Sequence, residues 1–195
     1  MNEVRERTLI DLFKALDGIY GSNYECKYYP CHFHGQDCTF CYCPFYPCLI
    51  YDLGGELIIS PDGEFQWSCK GCSWIHRREN VEEIVMRLSN YPKQRLIEED
   101  WLFFNRILQE IYYGEELGVK LENCYNLMPA ILRNKDCEEI GDIEFLAVKI
   151  VDFEIVDVRR IKSLDEASNE VVIPLKAGGE VYGIDEIGRK VVCKI

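Results

Sequence analysis

Eight cysteines, Cys26, Cys31, Cys38, Cys41, Cys43, Cys48, Cys69 and Cys72, and all three histidines, His32, His34 and His76, fall between positions 26 and 76. Thiols gathered at this density bind metal. A zinc ion (Zn2+) takes four ligands at tetrahedral corners, and a C-x2-C turn brings two thiolates to one ion. Two such turns occur, Cys38-x2-Cys41 and Cys69-x2-Cys72. The looser pairs Cys26-x4-Cys31 and Cys43-x4-Cys48 supply a second set of four. Spacing favours one ion on Cys38, Cys41, Cys69 and Cys72 and another on Cys26, Cys31, Cys43 and Cys48. A competing division adds His76, through Cys69-x2-Cys72-x3-His76, or His32. With Pro44 beside them, Cys41 and Cys43 serve different ions or one joined cluster. An iron–sulfur cluster is the alternative cofactor, because thiolates hold it as well as zinc. Cys124, Cys137 and Cys193 have no partner at ligand spacing and read as small core residues.

The elements that position these ligands are legible around them. Residues 3–17 place Val4, Leu9, Ile10, Leu12, Phe13 and Leu16 on one helical face, with Gly18 to end it. "ELIISPDGEFQWSC" reads as two short strands about a PDG turn, a hairpin that returns Cys69 and Cys72 toward the earlier cysteines. "NVEEIVMRLSN" predicts a helix capped by Asn80 with Glu83 in a capping box. "EEDWLFFNRILQEIYYGEELG" predicts a longer one, and a short helix is expected near 127–133. The pattern then turns to β in "EFLAVKIVDFEIVDV", "EVVIPL", "EVYGI" and "RKVVCKI". The expected class is α+β: an N-terminal helix (1–22), a cysteine-rich metal-binding module with a short hairpin (23–80), a helical segment (81–137) and a C-terminal antiparallel sheet or small barrel (138–195).

At 195 residues and 48% apolar composition, the chain is long enough for real cores. No run of about 18 apolar residues spans a bilayer, and the charged N-terminus differs from a signal peptide, so a cytoplasmic protein without membrane partners is expected. The net charge of −12 argues against a nucleic-acid partner. A protein partner is expected instead, and no substrate is indicated.

"ECKYYPCHFHGQDCTFCYCPFYPC" with "WSCKGCSWIHRREN" resembles the cysteine-rich small domain family, a metal-binding module of archaea and anaerobic bacteria. Cys26, Cys31, His32, Cys38, Cys41, Cys43, Cys69, Cys72 and His76 occupy that family's motif positions over residues 24–80; the resemblance does not extend to Cys48. In some methanogens a similar module is joined to threonine-phosphate decarboxylase, and the resemblance therefore implies a link to cobamide synthesis and to phosphorylation of threonine. No P-loop is present, and Asp37, Asp52, Lys70, Arg77 and Arg78 are the charged groups available to such a kinase. Three functions follow: a two-zinc structural or interaction module, which is preferred, a small enzyme of cobamide-type metabolism, and an iron–sulfur redox or sensing protein.

Overall fold

A computed structural model describes residues 2–114, 137–177, 180–184 and 189–194. Cys124 and the helix expected at 127–133 lie outside them. The chain divides into two compact units, one of Met1–Ile58 with Trp67–Glu116 and one of Ile59–Gln66 with Leu117–Ile195.

In the first unit, α1 spans Glu3–Asp17. The Asn2 side chain accepts the Arg5 N–H (2.7 Å), and the Gly18 N–H closes the last turn on Lys14 and Ala15. These caps satisfy groups that have no partner within the helix. The buried face of α1 carries Arg5, Thr8, Leu9, Leu12 and Ala15; of the residues the periodicity places on the apolar face, Leu9 and Leu12 are buried, whereas Val4 and Ile10 are exposed. Helices α2 (Arg78–Leu88), α3 (Lys93–Glu98) and α4 (Trp101–Tyr113) complete this unit's helices among the described residues. They bury Ile84, Leu88, Leu96, Phe104 and Leu108. Helix α2 starts three residues earlier than expected. Its N-cap is Arg77, and the Asn80 amide donates to the Trp74 carbonyl (2.6 Å) instead of capping. Helix α3, only six residues long, is too short to show a period of its own.

Strands β1 (Glu56–Ile59) and β2 (Phe65–Ser68) form the expected hairpin. Gly63, at φ 87°, donates to the Ser60 carbonyl (2.9 Å), a left-handed position that glycine takes without strain.

The second unit carries an antiparallel six-stranded sheet ordered β3-β8-β7-β6-β4-β5. Its strands are β3 (Cys137–Glu139), β4 (Phe145–Val151), β5 (Glu154–Ile161), β6 (Val171–Ala177), β7 (Glu180–Ile184) and β8 (Lys190–Lys194). The run "EFLAVKIVDFEIVDV" is a hairpin, turning at Asp152 and Phe153, which both take positive φ. Ile143, Phe145, Ala147, Ile161, Ala167 and Val172 form the core. Arg159 grips the buried Glu170 through two bonds of 2.8 and 2.7 Å and also donates to the Glu166 carbonyl. No helix among the described residues is long and apolar enough to cross a membrane.

One expectation is corrected here. Cys137 and Cys193 are register partners on β3 and β8 and form a disulfide, where separate core thiols were expected. The pair is 56 positions apart, so spacing carries no sign of it. The odd total of eleven cysteines does not prevent one local bond.

Candidate functional site

The remaining described cysteines are free thiols, and all lie in the first unit. They gather as two quartets. Burial pushes the Cys41 thiol up to about 11, and the charges of Asp11, Cys38, Cys26 and Cys31 add to the rise. Burial likewise pushes Cys43 well up, followed by Cys69, Cys48 and Cys72. Cys48 is raised by burial and then by Cys69 and Cys72; Cys69, raised to about 12, is driven by burial and then by Cys72. These mutual influences sort the thiols into Cys26, Cys31, Cys38, Cys41 and Cys43, Cys48, Cys69, Cys72, and the second four also line one cavity. Spacing had favoured a different division, with the two C-x2-C turns facing each other. In the fold, the hairpin brings the second turn to Cys43 and Cys48.

The first quartet is organised by a residue that the sequence did not single out. Gln36 is 1% exposed; its amide donates to Cys31 Sγ (2.9 Å) and faces Cys38 Sγ (3.7 Å). Its side-chain oxygen accepts the backbone N–H of His32 (2.8 Å) and Phe33 (3.3 Å). One buried amide thus shapes the 31–38 loop from both sides. Helix α1 fixes the far end, where Asp11 accepts the Tyr42 N–H (2.9 Å) and Arg7 donates to the Tyr42 hydroxyl (2.7 Å).

Backbone amides converge on the second quartet. The Phe45 N–H is aimed at Cys43, that of Ile50 at Cys48, and those of Trp74 and Ile75 at Cys72, each opposing the rise caused by burial. Hydrogen bonds to a charged form favour that form. The Trp67 indole N–H is buried without a nitrogen or oxygen partner and faces Cys48. Helix α4 holds the chain behind these thiols: Trp101 Nε1 donates to the Pro47 carbonyl (2.8 Å) and Asn105 Nδ2 to the Cys48 carbonyl (3.0 Å). Gln109 in turn donates to Asn105 Oδ1 (2.8 Å). The buried face of α4 therefore carries polar anchors, Trp101, Asn105 and Gln109, among its apolar residues.

The second turn is seated by main-chain contact. Gly54, at φ 88°, packs against the carbonyl of Gly71, and a Cβ on Gly71 would lie 2.6 Å from the Gly54 oxygen. A cavity of about 280 Å³ opens beside the quartet, lined by Cys43, Cys48, Cys69, Cys72, His32 and His76 among others. The imidazoles of His32 and His76 stack with centroids 4.4 Å apart. Burial lowers the pKa of both, and the charge of His76 lowers that of His32 further. His76 Nδ1 lies 2.9 Å from the Asp37 carbonyl. A carbonyl only accepts, so Nδ1 carries the proton and Nε2 the lone pair. His34 lies apart from this pair, against the Tyr29 ring.

Among the charged groups noted for phosphate, Arg78 is engaged by Asp37 (3.2 Å) and Glu82 (2.7 Å). Arg77 occupies the N-cap position of α2 without a side-chain capping bond, Lys70 sits within the second turn, and Asp52 lies in the 3-10 turn Tyr51–Leu53. As placed, no three or more His, Cys, Asp or Glu side chains among the described residues form a group that could hold a metal ion. The donor set nevertheless fits a soft cation: four thiols in each quartet, short side chains with a single torsion to adjust, and amides already directed at three sulfurs of the second.

Residues 18–96 match the family described as the cysteine-rich small domain. An uncharacterized protein of Methanocaldococcus jannaschii is 47% identical over 88 residues, 45% of this chain and 72% of that protein. A protein of Methanothermobacter thermautotrophicus named as a probable cobalt-factor III C(17)-methyltransferase is 50% identical over 70 residues, 36% of this chain but only 19% of that protein. No solved structure matches. With its cysteine quartets, its stacked histidines and this matching segment, the chain belongs to the cysteine-rich small domain family.

Proposed function

We propose that the first unit is a structural and interaction module held by two zinc ions, one in each cysteine quartet. The observation that carries this reading is the gathering of eight free thiols into two sets of four, with backbone amides aimed at Cys43, Cys48 and Cys72. Four thiolates complete a tetrahedral site and leave no coordination position open, so the ion contributes folding energy and not Lewis-acid chemistry. The two relatives support a modular role. The matched segment makes up most of one and a small part of the other, as expected for a unit joined to different neighbours. A protein partner in the cytoplasm is the setting that fits this role.

The test is metal and sulfide analysis of the full chain purified without oxygen, with an absorption spectrum. About two zinc ions per chain and no visible absorption are expected. Stoichiometric iron and sulfide in a brown protein, or protein with neither metal, would reject the reading.

A further inference from the structure

The two quartets are neighbours along the chain and are tied across it. Only Tyr42 divides Cys41 from Cys43, and Tyr42 is held by Asp11 and Arg7 of α1. The tie across the chain runs through His76, four positions after Cys72, and Asp37, immediately before Cys38. The His76 Nδ1–H donates to the Asp37 carbonyl at 2.9 Å, and the Asp37 N–H donates to the His76 carbonyl at 2.8 Å. Both residues are buried, at 6% and 3% exposure. The Asp37 carboxylate is occupied in turn by the Thr39 N–H (2.8 Å) and Arg78 (3.2 Å). His32, next to Cys31, stacks on His76. Every one of these contacts to His76 joins a residue beside a first-quartet cysteine to the segment that follows the second C-x2-C turn.

A cation in either quartet orders its own loop. Through the reciprocal Asp37–His76 bonds, ordering one loop presents a fixed partner to the other, and the second ion then meets a lower ordering cost. We propose that His76 is a positioning residue that couples the two quartets, so that an ion in one raises the affinity of the other. This rests on the two-ion reading above and adds to it that the sites fill together.

The experiment is a titration of cobalt(II) into the metal-free full chain without oxygen, followed by thiolate-to-cobalt absorption and native mass spectrometry. The wild-type chain is expected to pass from no ions to two, with the one-ion species well below its statistical share. His76→Ala is expected to accumulate the one-ion species, with the second ion weakened about tenfold, within the usual range of coupling between sites. His76→Asn keeps a side-chain N–H near the Nδ1 position and restores coupling. His76→Gln places its amide nearer the Nε2 position and does not. Two independent steps in the wild-type chain, or identical stepwise affinities in His76→Ala, overturn the proposal. Rescue by Gln and not by Asn also overturns it, since that pattern belongs to a ligand acting through Nε2. Should His76→Ala fail to fold, the Asn and Gln pair decides. A wild-type chain that binds no cobalt overturns the two-ion reading itself, an outcome distinct from two ions bound without coupling.

Discussion

Cys137 and Cys193 face each other across β3 and β8, joined by a disulfide with their Cα atoms 4.2 Å apart. The bond ties the first described strand of the sheet to the last and encloses β4 to β7 in its loop. Closing so long a loop restricts the unfolded chain, and disulfides of this kind contribute on the order of 2–4 kcal/mol. Cys193→Ser is therefore expected to lower the unfolding temperature of the second unit, and a reductant should shift the wild-type protein to the same value. Calorimetry with and without dithiothreitol checks this. A wild-type transition indifferent to reductant would remove the bond from the account.

The disulfide also shows where sequence reasoning stops. Helices α1 and α4 are legible because their apolar period is long and Gly18 and Gly114 end them. Strands β4 to β8 are legible from runs of Val and Ile broken by turn residues. Strand β3 has three residues and no pattern, so neither it nor its bond to Cys193 can be read from spacing. Motif spacing identifies the eight cysteines as a group but pairs the two C-x2-C turns, whereas the fold sets Cys69 and Cys72 beside Cys43 and Cys48. Gln36 and Asn105 are not legible as organisers, because a loop glutamine and a helical asparagine have many ordinary roles until their partners are known.

The two divisions of the cysteines give opposite results in one double variant. At saturating zinc, Cys38→Ser/Cys69→Ser removes a ligand from each spatial quartet and is expected to bind almost no zinc, whereas Cys38→Ser/Cys41→Ser damages one quartet and keeps about one ion. Elemental analysis of the two proteins is the check. About one ion retained by Cys38→Ser/Cys69→Ser would restore the division favoured by spacing.

Asn105 is fully buried and donates to the Cys48 carbonyl. Asn105→Leu removes that donor while keeping similar volume, and loss of a buried partner costs about 1–3 kcal/mol. Urea unfolding should show the loss, and zinc release from the second quartet should be faster than from the first. Unchanged stability and release would show that the α4 anchor does not support the site.

In the second unit, the bonds from Arg159 hold the Glu170 carboxyl below its ordinary value of 4.5, assisted by the Ser168 N–H, against the upward push of burial. A carboxylate whose folded pKa is lowered stabilises the fold fully above its unfolded value and loses that contribution as pH falls through the folded one. The stability of this unit is thus expected to decline below about pH 4.5, and Glu170→Gln to flatten the decline. Acid titration followed by circular dichroism compares the two. Parallel curves would show that the pair does not set the acid limit.

The close approach of Gly54 and Gly71 has a consequence for transplanting this module. The seat of the second C-x2-C turn is made by the lack of side chains, since a Cβ on either glycine would run into the backbone of the other. Gly55 is constrained in the same way by the Trp67 indole. A graft that carried only the cysteines to a new scaffold would omit the surfaces that let the two strands of chain touch. A randomised library of the hairpin should accordingly return glycine at 54, 55 and 71 while accepting wide variation at the exposed Glu56 and Glu64, so that the recognisable signature of the module includes three residues with no ligand atoms at all.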